Sequence, residues 1–286
     1  MTVVASLDLQ EAWADVLRRR SSLAPTLEPQ GEIFSRWAAT SARVTPLAWT
    51  AAECRRLWER GVPLAAEAAP SLAVDDVEEL VAAALQMASG VREGAADGIT
   101  RFARSWDRGE ITPRSLLPSR GRLGVVPESV GLAPEVVSFA ATVGLRPLLE
   151  AYFARCREHP SDGVWTLGVC PFCGAPPGWG DIVEDGRRRL ACHVCGGGWF
   201  FSRAQCPYCG NAESRSLVRL EPGGGEEGYS ITACTGCRAY LKELDRRVRW
   251  NGGPAVVEDW GSPHFDMAAR RSGYWRPLPS LIELGM

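Results

Sequence analysis

The chain has 286 residues, 45% of them hydrophobic, which is enough to bury a core and suits two domains or one domain with an appended module. A formal charge of −2 without a sustained basic stripe argues against a protein built around nucleic acid, and no apolar run reaches the length of a membrane-spanning helix. Lys242 is the only lysine among 32 basic residues, a bias read as codon usage rather than binding chemistry.

The first 160 residues hold no metal-ligand cluster and read as helices. Arg18-Arg19-Arg20 is followed by Ser21-Ser22-Leu23-Ala24-Pro25 and by no long apolar stretch, so it reads as the charged end of a helix, and a cytoplasmic location is expected. Thr50-Ala-Ala-Glu53 predicts a capping box ahead of an apolar stripe at Cys54, Leu57 and Trp58, with Gly61 as the stop. Val77, Leu80, Val81, Ala84, Leu85 and Ala88 recur at helical spacing after Asp75 and Asp76, ending at Gly90. The Pro-, Gly- and Arg-rich stretch from Ile111 to Pro134 predicts a loop whose Arg114, Arg120 and Arg122 face water. Pro134 opens a further helix with Val136, Val137, Ala140 and Val143 on one face, and a separate helix is expected from Pro147 through Tyr152 and Phe153 to Arg157. Cys54 and Cys156 stand alone in apolar stretches and read as small buried hydrophobes without a function. His159-Pro160-Ser161-Asp162-Gly163 marks a boundary, and cutting the chain near residue 165 is expected to leave a soluble helical fragment.

Four C-x-x-C pairs follow: Cys170/Cys173, Cys192/Cys195, Cys206/Cys209 and Cys234/Cys237. A two-residue gap curls the backbone into a knuckle that aims both sulfurs at one ion, and a glycine after the second cysteine takes positive φ cheaply. Gly174, Gly196 and Gly210 fill that position, whereas Arg238 follows Cys237 and predicts a looser fourth knuckle. Spacers of 18 and 24 residues, with 10 between the modules, favour sequential pairing, and a cross-braced pairing stays open on spacing alone. Cys170-Pro-Phe-Cys-Gly and Cys206-Pro-Tyr-Cys-Gly open two repeats, each followed by strands around a turn, at Asp185-Gly186 in the first and Gly223-Gly224-Gly225 in the second. Disulfides and thioredoxin-like catalysis rank below metal, because neither an oxidising compartment nor a strand-to-helix setting for a reactive thiol is evident. Four thiolates suit zinc and iron alike.

Ala239 to Leu244 predicts a closing strand, and Pro263 through Phe265, Met267 and Ala268 to Arg271 a final helix. Of the three histidines, His193 reads as a surface side chain inside the second knuckle, and His159 and His264 as structural. Without an acid, base or nucleophile constellation, no enzyme is expected. The fold class is therefore α+β: an N-terminal α-helical domain over residues 1–162, a first rubredoxin-like ribbon over 163–203, a second over 204–252, and a C-terminal helical tail over 253–286.

These residues resemble the formate dehydrogenase accessory proteins of the FdhE family. The resemblance rests on Cys170-Pro-Phe-Cys-Gly, the Cys192 knuckle followed by Trp199 and Arg203, Cys206-Pro-Tyr-Cys, and the Cys234 knuckle leading into Tyr240-Leu241-Lys242 and Asp245. Glu258-Asp259-Trp260 through Asp266 to Gly273-Tyr274 extends it, so that about the last 120 residues carry the match. It implies a cytoplasmic assembly factor that binds the catalytic subunit of a molybdenum- or tungsten-dependent formate dehydrogenase and holds two metal ions, zinc or iron, in four-thiolate sites. It also implies that Cys170 and Cys173 matter for activity as well as fold. Trp199, Phe200, Phe201 and Tyr240 are the expected recognition aromatics. Redox work through iron or a C-x-x-C ranks next, and nucleic-acid binding through Arg187-Arg188-Arg189 at a hairpin tip ranks last.

Overall fold

A computed structural model describes residues 3–40, 43–89, 95–119, 121–159, 161–213, 215–220, 226–281 and 284. Gly90, Arg120, Pro160 and the turn Gly223-Gly224-Gly225 lie outside them.

The N-terminal part is helical, with α1 (Val3–Arg19), α2 (Ala24–Leu27), α3 (Gly31–Ala39), α4 (Ala51–Trp58), α5 (Leu64–Glu67), α6 (Val74–Ser89), α7 (Ala95–Asp107), α8 (Pro113–Leu116) and α9 (Pro134–Tyr152). Both halves of the capping box form at α4: the Glu53 amide donates to Thr50 Oγ1 at 3.3 Å and the Thr50 amide to Glu53 Oε2 at 2.7 Å. Gly61 ends that segment at φ 67°. The stretch expected as a plain loop carries α8 and a 3-10 turn at Glu128–Val130, because Ile111, Leu116, Leu123 and Val130 bury against the helices.

The largest departure is α9. It runs unbroken for 19 residues through Pro147, where two helices were expected. Gly144 on the same helix lets α6 approach closely, since a Cβ there would stand 2.6 Å from Val81 Cγ2.

The second half forms one six-stranded sheet from β1 (Trp179–Ile182), β2 (Arg188–Ala191), β3 (Gly198–Phe201), β4 (Leu217–Leu220), β5 (Tyr229–Cys234) and β6 (Tyr240–Asp245), in the order β3-β2-β1-β6-β5-β4. Each module contributes an antiparallel triplet, and the two join through parallel pairing of β1 with β6, with Gly180 opposite Glu243 and Ile182 opposite Asp245. The ribbons are thus two repeats of a continuous sheet. Helices α10 (Ala255–Trp260) and α11 (Pro263–Arg271) close the fold, and only α11 was expected.

One hydrophobic core crosses the junction near residue 162. Trp260 of α10 sits among Phe34, Trp37 and Phe139 of the helical part, with ring centroids 5.3, 5.5 and 5.7 Å away. Phe172 of the first knuckle meets Trp58 edge-on at 5.9 Å. A second, smaller core lies between the sheet and α11, around Trp179, Tyr229, Tyr240 and Phe265. Among the described residues, no helix is long and apolar enough to cross a membrane.

Candidate metal centres

All four C-x-x-C segments fold into the same knuckle. In each, the amide of the residue after the second cysteine donates to the carbonyl of the first: Gly174 to Cys170 at 2.9 Å, Gly196 to Cys192 at 3.0 Å, Gly210 to Cys206 at 2.9 Å and Arg238 to Cys234 at 2.9 Å. The three glycines take φ of 79°, 70° and 76°. Arg238 takes 61°, the only positive φ at a described non-glycine residue, so the fourth knuckle is as tight as the others and the expected looseness is absent. The left-handed conformation costs an L-residue about 1–2 kcal/mol. Arg238 offsets it with its side chain, which donates to the carbonyls of Ser272 and Gly273 and lies 4.1 Å over the Tyr274 ring.

The knuckles meet in sequential pairs. Cys170, Cys173, Cys192 and Cys195 form one group and Cys206, Cys209, Cys234 and Cys237 the other, each with all sulfurs within 4.8 Å of one another. Closest approaches are 3.5 Å for Cys170 to Cys195 and for Cys173 to Cys192, 3.7 Å for Cys206 to Cys237 and 3.8 Å for Cys209 to Cys234. No disulfide is formed. Four ligands about 2.3 Å from a central zinc stand about 3.8 Å apart at the corners of a tetrahedron, so both groups fit the geometry of a tetrahedral thiolate site. Burial pushes the thiols of Cys170 and Cys173 well above their ordinary range and Cys206 up to about 11. Sulfurs this close and this poorly hydrated need a cation among them to ionise together.

The two groups differ in setting. The cysteines of the first are all buried within the main core, whereas in the second Cys209 is exposed and Cys237 half-buried.

Beside the first group lies a buried ionic cluster that sequence reading missed. His193, expected at the surface, is buried, and its Nε2 stands 2.9 Å from Asp259 Oδ2. Gly178 makes room for it, since a Cβ there would lie 2.2 Å from the imidazole. Asp259 also accepts from Lys242 and Arg276 at 2.7 Å each, and Asp266 accepts from Lys242 at 2.8 Å and from the Tyr240 hydroxyl at 2.6 Å. Burial opposes ionisation of Asp259, yet Arg276, Lys242 and His193 hold its carboxyl well below the usual range. The chain's only lysine is thus an internal strut between the second ribbon and the tail. The acidic pair Glu258-Asp259 beside Trp260 was the available signal, but its burial depends on contacts with residues distant in sequence.

The expected recognition aromatics are mostly internal. Trp199, Phe201 and Tyr240 are buried, and Arg187 stacks 3.7 Å over the half-buried Phe200. The arginine run does not present a basic tip either: Arg188 is 1% exposed and pairs with Glu243, while Arg187 pairs with Asp185 and Asp162. Cys54 and Cys156 are buried as expected, and the Cys156 thiol donates to the Leu47 carbonyl at 3.5 Å. His159 contacts the Trp49 carbonyl and His264 contacts Glu226, both at 3.0 Å, in structural roles.

Helices wrapped on a tandem C-x-x-C sheet, with two preformed four-cysteine groups, define an α+β protein of the zinc-ribbon class. No family model matches the chain. An FdhE homologue of Aquifex aeolicus is 31% identical over 152 residues, which cover 50% of this chain and 51% of that one. An FdhE homologue of Stutzerimonas stutzeri is 30% identical over 118 residues, covering 40% of this chain and 38% of the relative. The matched stretch therefore spans about half the length of the first relative and less of the second. In fold the likeness is wider: the crystal structure of the FdhE protein from Pseudomonas aeruginosa aligns over 96% of this chain and 94% of its own, with a TM-score of 0.61 at 20% identity. The chain is thus similar to FdhE homologues in sequence over about half its length or less, and shares the fold of the FdhE protein over nearly all of it.

Proposed function

We propose that the chain is an accessory protein for the assembly of a formate dehydrogenase, working in the cytoplasm. It binds the catalytic subunit of a molybdenum- or tungsten-dependent enzyme before that enzyme is complete. Cys170, Cys173, Cys192 and Cys195 hold one metal ion, and Cys206, Cys209, Cys234 and Cys237 a second, zinc or iron in each case. Similarity to FdhE homologues is the observation that carries this reading. The donor set supports it: four thiolates close the coordination sphere, so a bound ion fixes the shape of the ribbons and has no position left for water or substrate. The chain then acts by presenting a rigid surface and carries no enzymatic activity.

With Trp199, Phe201 and Tyr240 internal, the recognition surface has to use other side chains. Trp250, 83% exposed, and its neighbour Val248, 50% exposed, lie on the segment between β6 and α10 and are apolar groups in water. The test is anaerobic co-purification with a separately tagged formate dehydrogenase catalytic subunit, followed by size-exclusion chromatography. A stable complex that Trp250→Ala weakens is expected. Recovery of nucleic acid or a redox protein, with no catalytic subunit in the complex, would count against this function.

A further inference from the structure

The two cysteine groups are capped by different parts of the chain. Around the first, the helical part supplies the donors: Trp58 Nε1 to the Pro171 carbonyl at 3.1 Å, Arg146 to the His193 carbonyl at 2.7 Å and Arg157 to the Cys195 carbonyl at 3.1 Å. The first site cannot open without pulling α4 and α9 away from the knuckles.

Around the second, the C-terminal segment does this work. Trp275 Nε1 donates to the Cys237 carbonyl at 2.9 Å, the Trp275 amide donates to the Arg238 carbonyl at 2.9 Å, and the Tyr240 amide donates to the Trp275 carbonyl at 2.9 Å. The Arg238 guanidinium donates in turn to the carbonyls of Ser272 at 2.9 Å and Gly273 at 3.2 Å. Arg238 therefore belongs at once to the Cys234 knuckle and to the berth of the tail. Trp275 is 49% exposed, and Cys209, across the group from Cys234, is open to water.

We propose that the second four-cysteine site is the exchangeable one, that Cys209 is the sulfur through which it opens, and that its occupancy governs docking of residues 272–276. The inference rests on the reading that both groups hold metal. A competing chelator reaches Cys209 directly from solvent, whereas the first site offers it no exposed sulfur. Once the ion leaves, the Cys234 knuckle is no longer braced, and the backbone bonds of Arg238 and Tyr240 to Trp275 are released together.

The experiment challenges zinc-loaded chain with a strong chelator in the absence of denaturant. It counts ions by native mass spectrometry, maps freed thiols by alkylation, and follows amide hydrogen exchange. Two ions are expected at the outset, one of them leaving at least about tenfold faster because its site opens locally. After the fast phase Cys206, Cys209, Cys234 and Cys237 are alkylated, Cys170, Cys173, Cys192 and Cys195 stay protected, and exchange at Tyr240 and Trp275 rises. Arg238→Gly keeps the left-handed turn without the guanidinium, so with both ions bound it is expected to keep exchange at Trp275 well below that of the chain stripped of its second ion. Simultaneous loss of both ions, earlier loss from the first site, unchanged exchange at Trp275 after the fast phase, or exchange at Trp275 in ion-loaded Arg238→Gly as high as in the stripped chain overturns the inference. A chain that binds fewer than two ions overturns the metal reading beneath it, and the inference falls with that.

Discussion

The indole Nε1 of Trp37 donates a 2.8 Å hydrogen bond to the carbonyl of Val143. In an unbroken helix that carbonyl would receive the amide four residues on, but residue 147 is proline and has none to give. Trp37, from α3, supplies the donor that α9 lacks, and α9 continues past the proline. Its later turns carry Glu150, which holds Arg157, and Arg157 reaches the Cys195 carbonyl of the second knuckle. A side-chain bond deep in the helical part thus helps place one wall of the first cysteine group.

Trp37→Phe keeps most of the apolar contact and removes the donor, leaving a buried carbonyl unserved, and is expected to cost about 1–3 kcal/mol in denaturant unfolding. In a Pro147→Ala background the restored amide serves Val143, and the same substitution should cost about 1 kcal/mol less. Equal costs in the two backgrounds would show that Trp37 acts through packing alone.

Arg188 and Arg189 are neighbours with opposite fates. Arg188 faces inward, paired with Glu243 at 3.4 Å and donating to the Gln205 carbonyl at 2.6 Å, whereas Arg189 is exposed. Arg188→Ala strands a buried carboxylate and is expected to cost about 3–5 kcal/mol, against a change within about 0.5 kcal/mol for Arg189→Ala. Thermal unfolding of both variants measures the contrast, and similar losses in the two would refute the assigned orientations.

What sequence could reveal here was the chemistry that is local. C-x-x-C spacing, the glycines after Cys173, Cys195 and Cys209, and the capping box at Thr50 each act within about five residues, and each is found where expected. Features set by distant partners were hidden. The parallel pairing of β1 with β6 joins strands about 60 residues apart and leaves no mark on either. Helix α10 was missed because Glu258 and Asp259 interrupt its apolar pattern; both are buried, one against Arg19 and the Tyr229 hydroxyl, the other against Lys242 and Arg276. His193 could not be read as buried until Asp259 was beside it.

Glu226 ties the N-terminal helix to the tail. It accepts from Arg20 Nε at 3.0 Å and pairs with His264 at 3.0 Å. Burial opposes its charge, but His264 and Arg20 hold the carboxyl down at about 2, against an ordinary 4.5. The folded value lies below the unfolded one, so the stabilisation is present above pH 4.5 and is lost as pH falls toward 2. Allowing for partial solvation, it amounts to about 1–2 kcal/mol. The stability difference between the native chain and Glu226→Gln should therefore shrink as pH drops from about 6 to about 3, acid effects on the cysteines being common to both. A difference that stays constant across that range would rule out ionisation of Glu226 as its source.

The sequence reading expected a fragment cut near residue 165 to be a soluble helical domain, and the shared core argues for a different outcome. Trp260 stands 5.5 Å from Trp37 and 5.3 Å from Phe34, and Phe172 covers Trp58, so the cut bares a contiguous apolar face on the helical part. Arg146, which stacks 5.3 Å from Trp37, also loses the His193 carbonyl it serves. Losing one large aromatic from a core costs about 3–5 kcal/mol, and two such losses approach the whole stability of a typical domain. Residues 1–162 alone are therefore expected to aggregate or to melt without a cooperative transition. Calorimetry and sedimentation of that fragment decide the matter: a monomer with a sharp transition would mean that the helices complete a core of their own, and that Trp260 and Phe172 only cover it.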